Sequence, residues 1–450
     1  MEYAQLLYHH ELTPQSVVVY FLVQTVLLIT IKLIYNIYFH PLASYPGPIF
    51  LVASDIPLAV YSLLGTSQYP LKAAHDKFNI YGYKKNGGGR ANFPKDPRFY
   101  NEMMLGKETI TLAKHIGRLM AQLEKHSAGG RPVDVREWFT FSMFDINSDF
   151  GFSEDMGCVK NGTKAAMHHT FKTPVVIDYF YAATLLHQCH KFWPLNRLLA
   201  LCIPPSTRRM QVNHTEASLE RVRKRTATDT DRYDFMHYFL KQANKEQLPT
   251  KTIEAQASVV ILAGSETSSV AETAAVYHIS THPDVYKKLQ KEIQTAFASI
   301  QDIKLQDVLK LPYLDAVVQE ALRIHAPLAN GFTRWKHVPR GTVVTINHYC
   351  SNTSASNFRD PTSFIPERWM GEATYADDNR EVVQPFSVGP RNCPGQQFAL
   401  CNIKLTLAHL IWRFDLTLGE GTENWEVGQR IYNGWIQPAL PVLMEKRVEW

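Results

Sequence analysis

The sequence contains one loop with distinctive chemistry, Phe386-Ser387-Val388-Gly389-Pro390-Arg391-Asn392-Cys393-Pro394-Gly395. After this loop, apolar residues recur at helical spacing from Leu400 to Phe414, which places Cys393 just before a helix N-terminus. The helix dipole and free backbone N–H groups favour a thiolate, the form of cysteine that binds metals. A buried free thiol is the simpler interpretation of a lone cysteine, but the composition of the loop favours a ligand.

The loop matches the pattern FxxGxRxCxG, with Phe386, Gly389, Arg391, Cys393 and Gly395 in register. This is the haem-binding loop of the cytochrome P-450 family, which the sequence resembles. The resemblance implies that Cys393 is the axial thiolate ligand of the iron of haem b, an arrangement that favours O–O cleavage. The two glycines let the backbone approach a flat cofactor, and Arg391 can offer its guanidinium to a cofactor carboxylate.

A long helix is predicted over Thr252–Thr281, ending before Pro283 because proline cannot continue a helix. Its centre, Ala263-Gly264-Ser265-Glu266-Thr267-Ser268, resembles the oxygen-binding motif of the family. The resemblance implies that Thr267 hydrogen-bonds bound dioxygen and that Glu266 relays protons. The alternative is that Thr267 bonds back to its own helix and Glu266 is a surface charge.

Glu320 and Arg323 are three residues apart and share the face of a predicted helix over residues 312–325. An exposed pair of this kind would contribute only about 0.2–0.5 kcal/mol. The resemblance adds Arg368, in Pro366-Glu367-Arg368-Trp369, and implies a buried structural network of the three residues. It also makes Arg334, in Gly331-Phe332-Thr333-Arg334, a candidate partner of a haem propionate.

The N-terminal region is predicted to anchor the chain in a membrane. Residues 16–39 are nearly all apolar and long enough to span a bilayer, although a buried helix of a soluble protein is an alternative. Residues 1–15 carry no lysine or arginine, which predicts a lumenal N-terminus. A proline-rich hinge (40–48) and a haem-binding monooxygenase domain (49–450) follow. The hinge sequence resembles that of fungal microsomal members of the family. This resemblance implies a single-pass endoplasmic reticulum protein with a cytosolic catalytic domain.

The remaining composition is that of one large globular unit. The 450 residues show no internal linker after residue 50, and a net charge of +5 does not indicate nucleic-acid binding. Six cysteines without a CxxC pair indicate reduced thiols. The fold class implied by the resemblance is the cytochrome P-450 fold, mainly α with small β-sheets, preceded by one transmembrane helix.

Three blocks of the family pattern are missing. A strand pair is absent between Phe78 and Ile80, a helix that contacts a propionate has no match before Thr111, and a glycine-rich hairpin is absent between Pro339 and Arg340. We interpret these gaps as a gene-model error or as genuine shortening. The second interpretation leaves open an inactive relic, because deleting paired strands exposes unpaired backbone groups.

The resemblance implies a monooxygenase that inserts one atom of dioxygen into a small lipophilic substrate, in a fungal terpenoid, polyketide or alkaloid pathway. The sequence shows no flavin or dinucleotide domain, so NADPH and flavins would act through a separate NADPH-cytochrome reductase, with cytochrome b5 as a second option. The alternative is a haem-thiolate isomerase or dehydratase that does not use dioxygen. The intact Glu266–Thr267 pair argues against that alternative.

Overall fold

The computed structural model describes residues 14–43, 47–78, 108–162, 184, 205–228, 232, 234–246, 250–330, 333–334, 344–388, 392–432 and 434–447. Several predictions fall outside these residues: most of the lumenal segment, the hinge centre at 44–46, and the missing blocks around Ile80 and Pro339. The helices are α1 Pro14–Ile34, α2 Ile49–Ala53, α3 Ile56–Leu63, α4 Gln68–Phe78, α5 Glu108–Ser127, α6 Val135–Phe152, α7 Cys158–Asn161, α8 Pro205–Ala227, α9 Phe235–Glu246, α10 Thr250–Thr281, α11 Pro283–Ala296, α12 Leu305–Val308, α13 Pro312–Ile324, α14 His348–Asn352 and α15 Gln396–Arg413.

The strands in the described residues are short: β1 Val133–Asp134, β2 Thr333–Arg334, β3 Val344–Thr345, β4 Phe414–Leu418, β5 Arg430–Ile431, β6 Trp435–Ile436 and β7 Pro441–Lys446. These strands form three small antiparallel sheets, so the predicted mainly helical class is confirmed. One sheet has the order β1-β7-β4, and its longest ladder runs from Phe414↔Lys446 to Leu418↔Val442. The others are the pairs β2–β3 and β5–β6.

The N-terminal helix α1 continues into one π-helical segment, Tyr35–Phe39. Together they form a helix of 26 residues that is long and apolar enough to cross a membrane. At 1.5 Å per residue this is about 39 Å, more than the hydrocarbon core of a bilayer. None of the α1 side chains is buried. The alternative of a buried helix in a soluble core is therefore wrong, and a membrane span fits this helix.

The central helix α10 organises the core. It packs against α6 along much of its length and also contacts α8, α13 and α15. From Val270 to Ile279 every residue of α10 is buried, which explains why this part carries so many small residues. Because α15 follows the Cys393 loop, its contact with α10 brings the two sequence motifs into one region of the fold.

Helix boundaries follow local chemistry. Pro283 and Pro312 start α11 and α13 at the first turn, where proline loses no helical hydrogen bond. The Asp134 side chain caps α6 by accepting a hydrogen bond from the Arg136 backbone N–H at 3.1 Å. Helix α11 ends at Ala296, because Phe297 adopts an extended conformation and caps the helix.

Candidate active site

The Cys393 loop is closed by a backbone hydrogen bond. The Cys393 N–H donates to the Phe386 carbonyl oxygen at 2.7 Å, and Ser387 adopts a left-handed conformation (φ 62°) that turns the chain between them. Gly395 then caps α15, and a Cβ placed there would lie 3.9 Å from the Cys393 Sγ. The loop thus leads directly into a helix N-terminus, as the sequence predicts. Gly389 and Arg391 lie outside the described residues.

Cys393 differs from the other described cysteines in its accessibility. Cys158, Cys350 and Cys401 are buried, whereas Cys393 is half-buried. Burial nevertheless raises the pKa of the Cys393 thiol, and the backbone N–H of Gly395 opposes this rise. The contribution of the Gly395 N–H has the direction that the sequence predicts, but burial outweighs it in the polypeptide by itself. A cationic metal would deprotonate the thiol, since a coordinating thiol binds as the thiolate.

One face of α10 is open at the predicted oxygen motif. Ala263 is exposed and Thr267, one turn later, is half-buried, although Ser265 and Ser268 are buried. The Thr267 hydroxyl donates to the Ala263 carbonyl oxygen at 2.7 Å, the back-bonding that the sequence leaves as an alternative. Thr267 therefore combines this local bond with a partly exposed side chain.

Glu266 is a buried acid, not a surface charge. Its side chain is 8% exposed, and burial raises the pKa of its carboxyl while the positive charge of Arg136 opposes the rise. A carboxyl group with a raised pKa holds a proton to higher pH and can release it to a neighbouring acceptor. The alternative interpretation of Glu266 as a solvated charge is contradicted.

The structure brings Glu320, Arg323 and Arg368 together in one fully buried network. The Arg323 Nε and Nη2 atoms each donate to a Glu320 carboxylate oxygen at 2.8 Å, and Arg368 Nε donates to the same carboxylate at 3.1 Å. All three side chains have no exposed surface. The alternative of an exposed Glu–Arg pair is therefore excluded, and removal of one partner would leave a buried charge uncompensated.

Sequence reasoning missed two further members of this network. Asp378 accepts a hydrogen bond from Arg368 Nη1, and the indole N–H of Trp369 donates to Glu320 at 2.9 Å. Asp378 lies ten residues after Arg368 in a loop of short 3₁₀ turns, so no periodic pattern marks it. Trp369, in contrast, belongs to the Pro366–Trp369 motif and could have been included.

The structure describes the backbone of Arg334 but not its side chain. Arg334 pairs with Val344 in the antiparallel pair β2–β3. The residues between these two strands, 335–343, are also outside it. The strand pair is the site of the hairpin that the sequence suggests is shortened.

Two contacts near the oxygen motif were also missed by sequence reasoning. Asn147 of α6 packs on Gly264, and Glu272 of α10 accepts a hydrogen bond from Asn402 of α15 at 3.0 Å. Burial raises the pKa of Glu272 to about 8, while a hydrogen bond from Thr406 opposes the rise. Both contacts join residues more than 100 positions apart, and only a buried polar residue in each helix could have signalled them.

A half-buried thiol before α15, an open face of α10 with an acid–hydroxyl pair, and the contact between these helices fit a haem-thiolate site. The class of protein defined by this fold and site is a haem-thiolate oxygenase. The family model Cytochrome P450 matches residues 98–441, and the chain belongs to the cytochrome P450 family. The protein is a haem-thiolate monooxygenase, which works with dioxygen, a substrate and a redox partner. The names of the similar proteins, which are monooxygenases and a hydroxylase, favour this activity over the isomerase or dehydratase alternative.

Curated relatives are similar over most of the chain. Cytochrome P450 monooxygenase astD of Aspergillus oryzae is 36% identical, over 92% of this chain and 91% of that protein. Trichothecene C-15 hydroxylase of Fusarium sporotrichioides is 28% identical (93% and 96%), and cytochrome P450 monooxygenase atr2 of Stereocaulon alpinum is 29% identical (92% and 92%). The alignment with astD spans 472 positions, more than the 450 residues of this chain, so it contains gaps on this chain's side.

Proposed function

We propose that this monooxygenase oxygenates a small lipophilic intermediate of a fungal secondary-metabolite pathway, of terpenoid, polyketide or alkaloid type. The similarity to fungal monooxygenases and to a trichothecene hydroxylase supports this substrate class. The single structural observation that carries the chemistry is the open face of α10 at Thr267, beside the buried acid Glu266, on a helix that packs against α15.

Cys393 is proposed as the axial ligand of haem b. Its thiol is half-buried at the end of a loop held by its own hydrogen bond to Phe386. Gly395 keeps the approach to Cys393 Sγ free of a side chain. Gly389, Arg391 and Arg334 are the other proposed haem-binding residues, and in this proposal the two arginines would pair with the haem carboxylates. Bound haem supplies the activation of dioxygen, which no protein side chain can provide.

Glu266 and Thr267 are proposed to deliver protons during the reaction. Glu266 is buried beside the open face, so its carboxyl can hold a proton that bulk water does not exchange freely. The Thr267 hydroxyl donates to Ala263 in the resting arrangement and has lone pairs that can accept a proton from a donor at the open face. In this proposal both neighbouring residues of α10 take part in proton delivery, Glu266 as the proton donor and Thr267 as the acceptor.

Electrons must come from another protein in this proposal. NADPH and flavin would act in a separate NADPH-cytochrome reductase, with cytochrome b5 as a second donor. The 26-residue helix over Pro14–Phe39 supports attachment to the endoplasmic reticulum membrane, with the N-terminus lumenal and the catalytic domain cytosolic. A shared membrane would keep the oxygenase and its reductase close together.

The haem site is tested by the carbon monoxide difference spectrum of reduced microsomes that contain the protein. The wild type should show the red-shifted Soret band of a thiolate-bound haem. Cys393→Ser should lose this band, whereas Cys401→Ser, which alters a buried cysteine on α15, should keep it. Equal spectra from the two variants would contradict the assignment of Cys393, and protein without haem in the wild type would favour the relic interpretation.

The substrate class is tested separately, in microsomes that also contain a fungal NADPH-cytochrome reductase. Terpenoid, polyketide and alkaloid intermediates are screened under ¹⁸O₂. A product that requires NADPH and gains one ¹⁸O atom supports the proposal. A wild-type protein with a normal haem spectrum that oxygenates only unrelated substrates would reject the substrate class but not the haem site.

A further inference from the structure

Three potential metal ligands meet at a place that the haem site does not use. His278 lies near the end of α10, His325 follows α13 directly, and Glu426 lies in the turn before β5. One ligand atom from each residue lies within 4.8 Å of the other two. The three residues come from segments that are far apart in sequence, so the fold itself assembles the group.

The separations of these atoms are close to those of a tetrahedral zinc site. His278 Nε2 is 3.1 Å from His325 Nδ1 and 3.8 Å from Glu426 Oε1. Zinc binds nitrogen and oxygen ligands at about 2.0–2.2 Å, which places neighbouring tetrahedral ligands about 3.3 Å apart. The third separation, between His325 and Glu426, is within 4.8 Å, so side-chain shifts of up to about 1.5 Å would bring the three atoms around one ion.

Both imidazole rings are held in place by their surroundings. The His278 ring stacks on Phe364 with ring centroids 4.7 Å apart and an angle of 5°, and the His325 ring packs against Trp435 at 5.1 Å. Such packing reduces the loss of side-chain entropy on metal binding. Preorganised rings are what a metal site requires of its ligands.

Gln429 supplies the outer partner that metal-bound histidines usually have. Its fully buried side-chain amide lies 3.2 Å from His325 Nε2, and its Oε1 has no hydrogen-bond partner among the described residues. With the amide rotated by 180°, Oε1 accepts from His325 Nε2–H. This tautomer directs the lone pair of His325 Nδ1 towards His278 and Glu426, and an oxygen acceptor behind a ligating histidine is the common arrangement.

We propose that His278, His325 and Glu426 form a binding site for one zinc ion. Two imidazoles and one carboxylate suit zinc, and this ligand set leaves the fourth position to water. The side chain of Glu426 is half exposed, so the ion can enter from solvent, and the carboxylate offsets part of its charge. The ion would tie together the end of α10, the end of α13 and the turn before β5.

A metal-free hydrogen bond between His278 and His325 is the competing explanation. It needs one proton between the two rings and gives Glu426 no essential role. The two explanations therefore differ in what Glu426 does. Glu426→Gln keeps the size of the side chain and lies at the surface, so it is the informative variant. Glu423→Gln, which removes an exposed carboxylate from the same turn, is the matched control.

The experiment uses untagged, detergent-solubilised holoprotein that is equilibrated with zinc in a competing chelator. Zinc and haem iron are then counted by mass spectrometry. The wild type and Glu423→Gln should hold about one zinc per haem, and Glu426→Gln should bind zinc at least about ten-fold more weakly, since even outer partners change affinity by about 10–100-fold. Zinc should also raise the unfolding temperature of the wild type more than that of Glu426→Gln.

The carbon monoxide spectrum of each variant shows that the haem domain is intact, so a failure of the zinc site is distinguishable from a failure of the haem site. Equal zinc affinity of the wild type and Glu426→Gln would overturn the proposal. Absence of zinc from a wild type with normal haem content would also overturn it, and would assign the histidine pair to a structural hydrogen bond.

Discussion

Asn147 of α6 lies directly against Gly264 of α10, so that a Cβ at Gly264 would overlap with Asn147 Oδ1. The amide cannot move away freely, because Asn147 Nδ2 donates to the Met143 carbonyl oxygen at 2.8 Å. The glycine of the oxygen motif is therefore required by the neighbouring helix. This contact fixes how closely α6 approaches α10 beside Glu266 and Thr267.

Gly264→Ala is expected to destabilise the protein by about 1–3 kcal/mol, because the added methyl group overpacks the contact with Asn147. Gly117→Ala is the control. Gly117 lies within α5, and a Cβ there would meet nothing within 4 Å, so the substitution should stabilise by about 0.5–1 kcal/mol. Unfolding temperature and haem retention are measured for both. Equal behaviour of the two variants would show that Asn147 yields without strain.

Glu320→Gln is expected to cost about 3–5 kcal/mol, because it leaves Arg323 buried without a counter-charge and leaves Arg368 with Asp378 as its remaining carboxylate partner. Asp307→Asn is the comparison, since the Asp307–Lys310 pair at 2.8 Å is exposed and such pairs contribute at most about 1 kcal/mol. Thermal unfolding of the solubilised holoprotein measures both. A loss for Glu320→Gln as small as that for Asp307→Asn would mean that the buried arginines find other partners.

Local patterns in the sequence were sufficient for the parts of the site that lie within one segment. The Cys393 loop, the start of α15 and the end of α10 before Pro283 follow from glycine, proline and apolar spacing. Glu320 and Arg323 share a helix turn, so their proximity is also local. Arg368 was reached only through the resemblance to the family, because it contacts Glu320 from 48 positions away.

The contacts that sequence reasoning missed depend on tertiary packing. Asn147 meets Gly264 and Glu272 meets Asn402 only because α6 and α15 pack on α10, and no periodicity within one helix encodes those meetings. The burial of Glu266 is of the same kind. From the sequence alone, a glutamate in the middle of a helix is interpreted as a solvated charge, because its burial depends on neighbouring helices.

Glu272→Gln should remove a pH dependence of stability. Burial raises the pKa of Glu272 to about 8, so its contribution is fully present below the unfolded pKa near 4.5 and is lost as the pH rises through 8. Between these values the wild type should lose up to about 1.4 kcal/mol per pH unit from this group, and the variant should not.

The comparison for Glu272→Gln is made by thermal unfolding at pH 6 and pH 8. The protonated carboxyl can also donate to Asn402 Oδ1, which has no partner among the described residues, once the amide of Asn402 rotates. Glu445→Gln alters an exposed glutamate on β7 and should keep the wild-type slope. A slope that is the same in Glu272→Gln and in the wild type would contradict a neutral Glu272.

Thr267→Ala should retain haem but separate oxygen reduction from product formation. The fold should tolerate the change, because the hydroxyl of this half-buried side chain donates to Ala263 of its own helix. Loss of its hydroxyl removes the proposed proton acceptor at the open face, so more NADPH should be consumed per product and more peroxide released.

Thr273→Ala is the matched control, since Thr273 makes the same back-bond, to Ser269 at 2.7 Å, but is fully buried. Product, NADPH and peroxide are measured for both variants, and a wild-type ratio of product to NADPH in Thr267→Ala would remove Thr267 from the proton path.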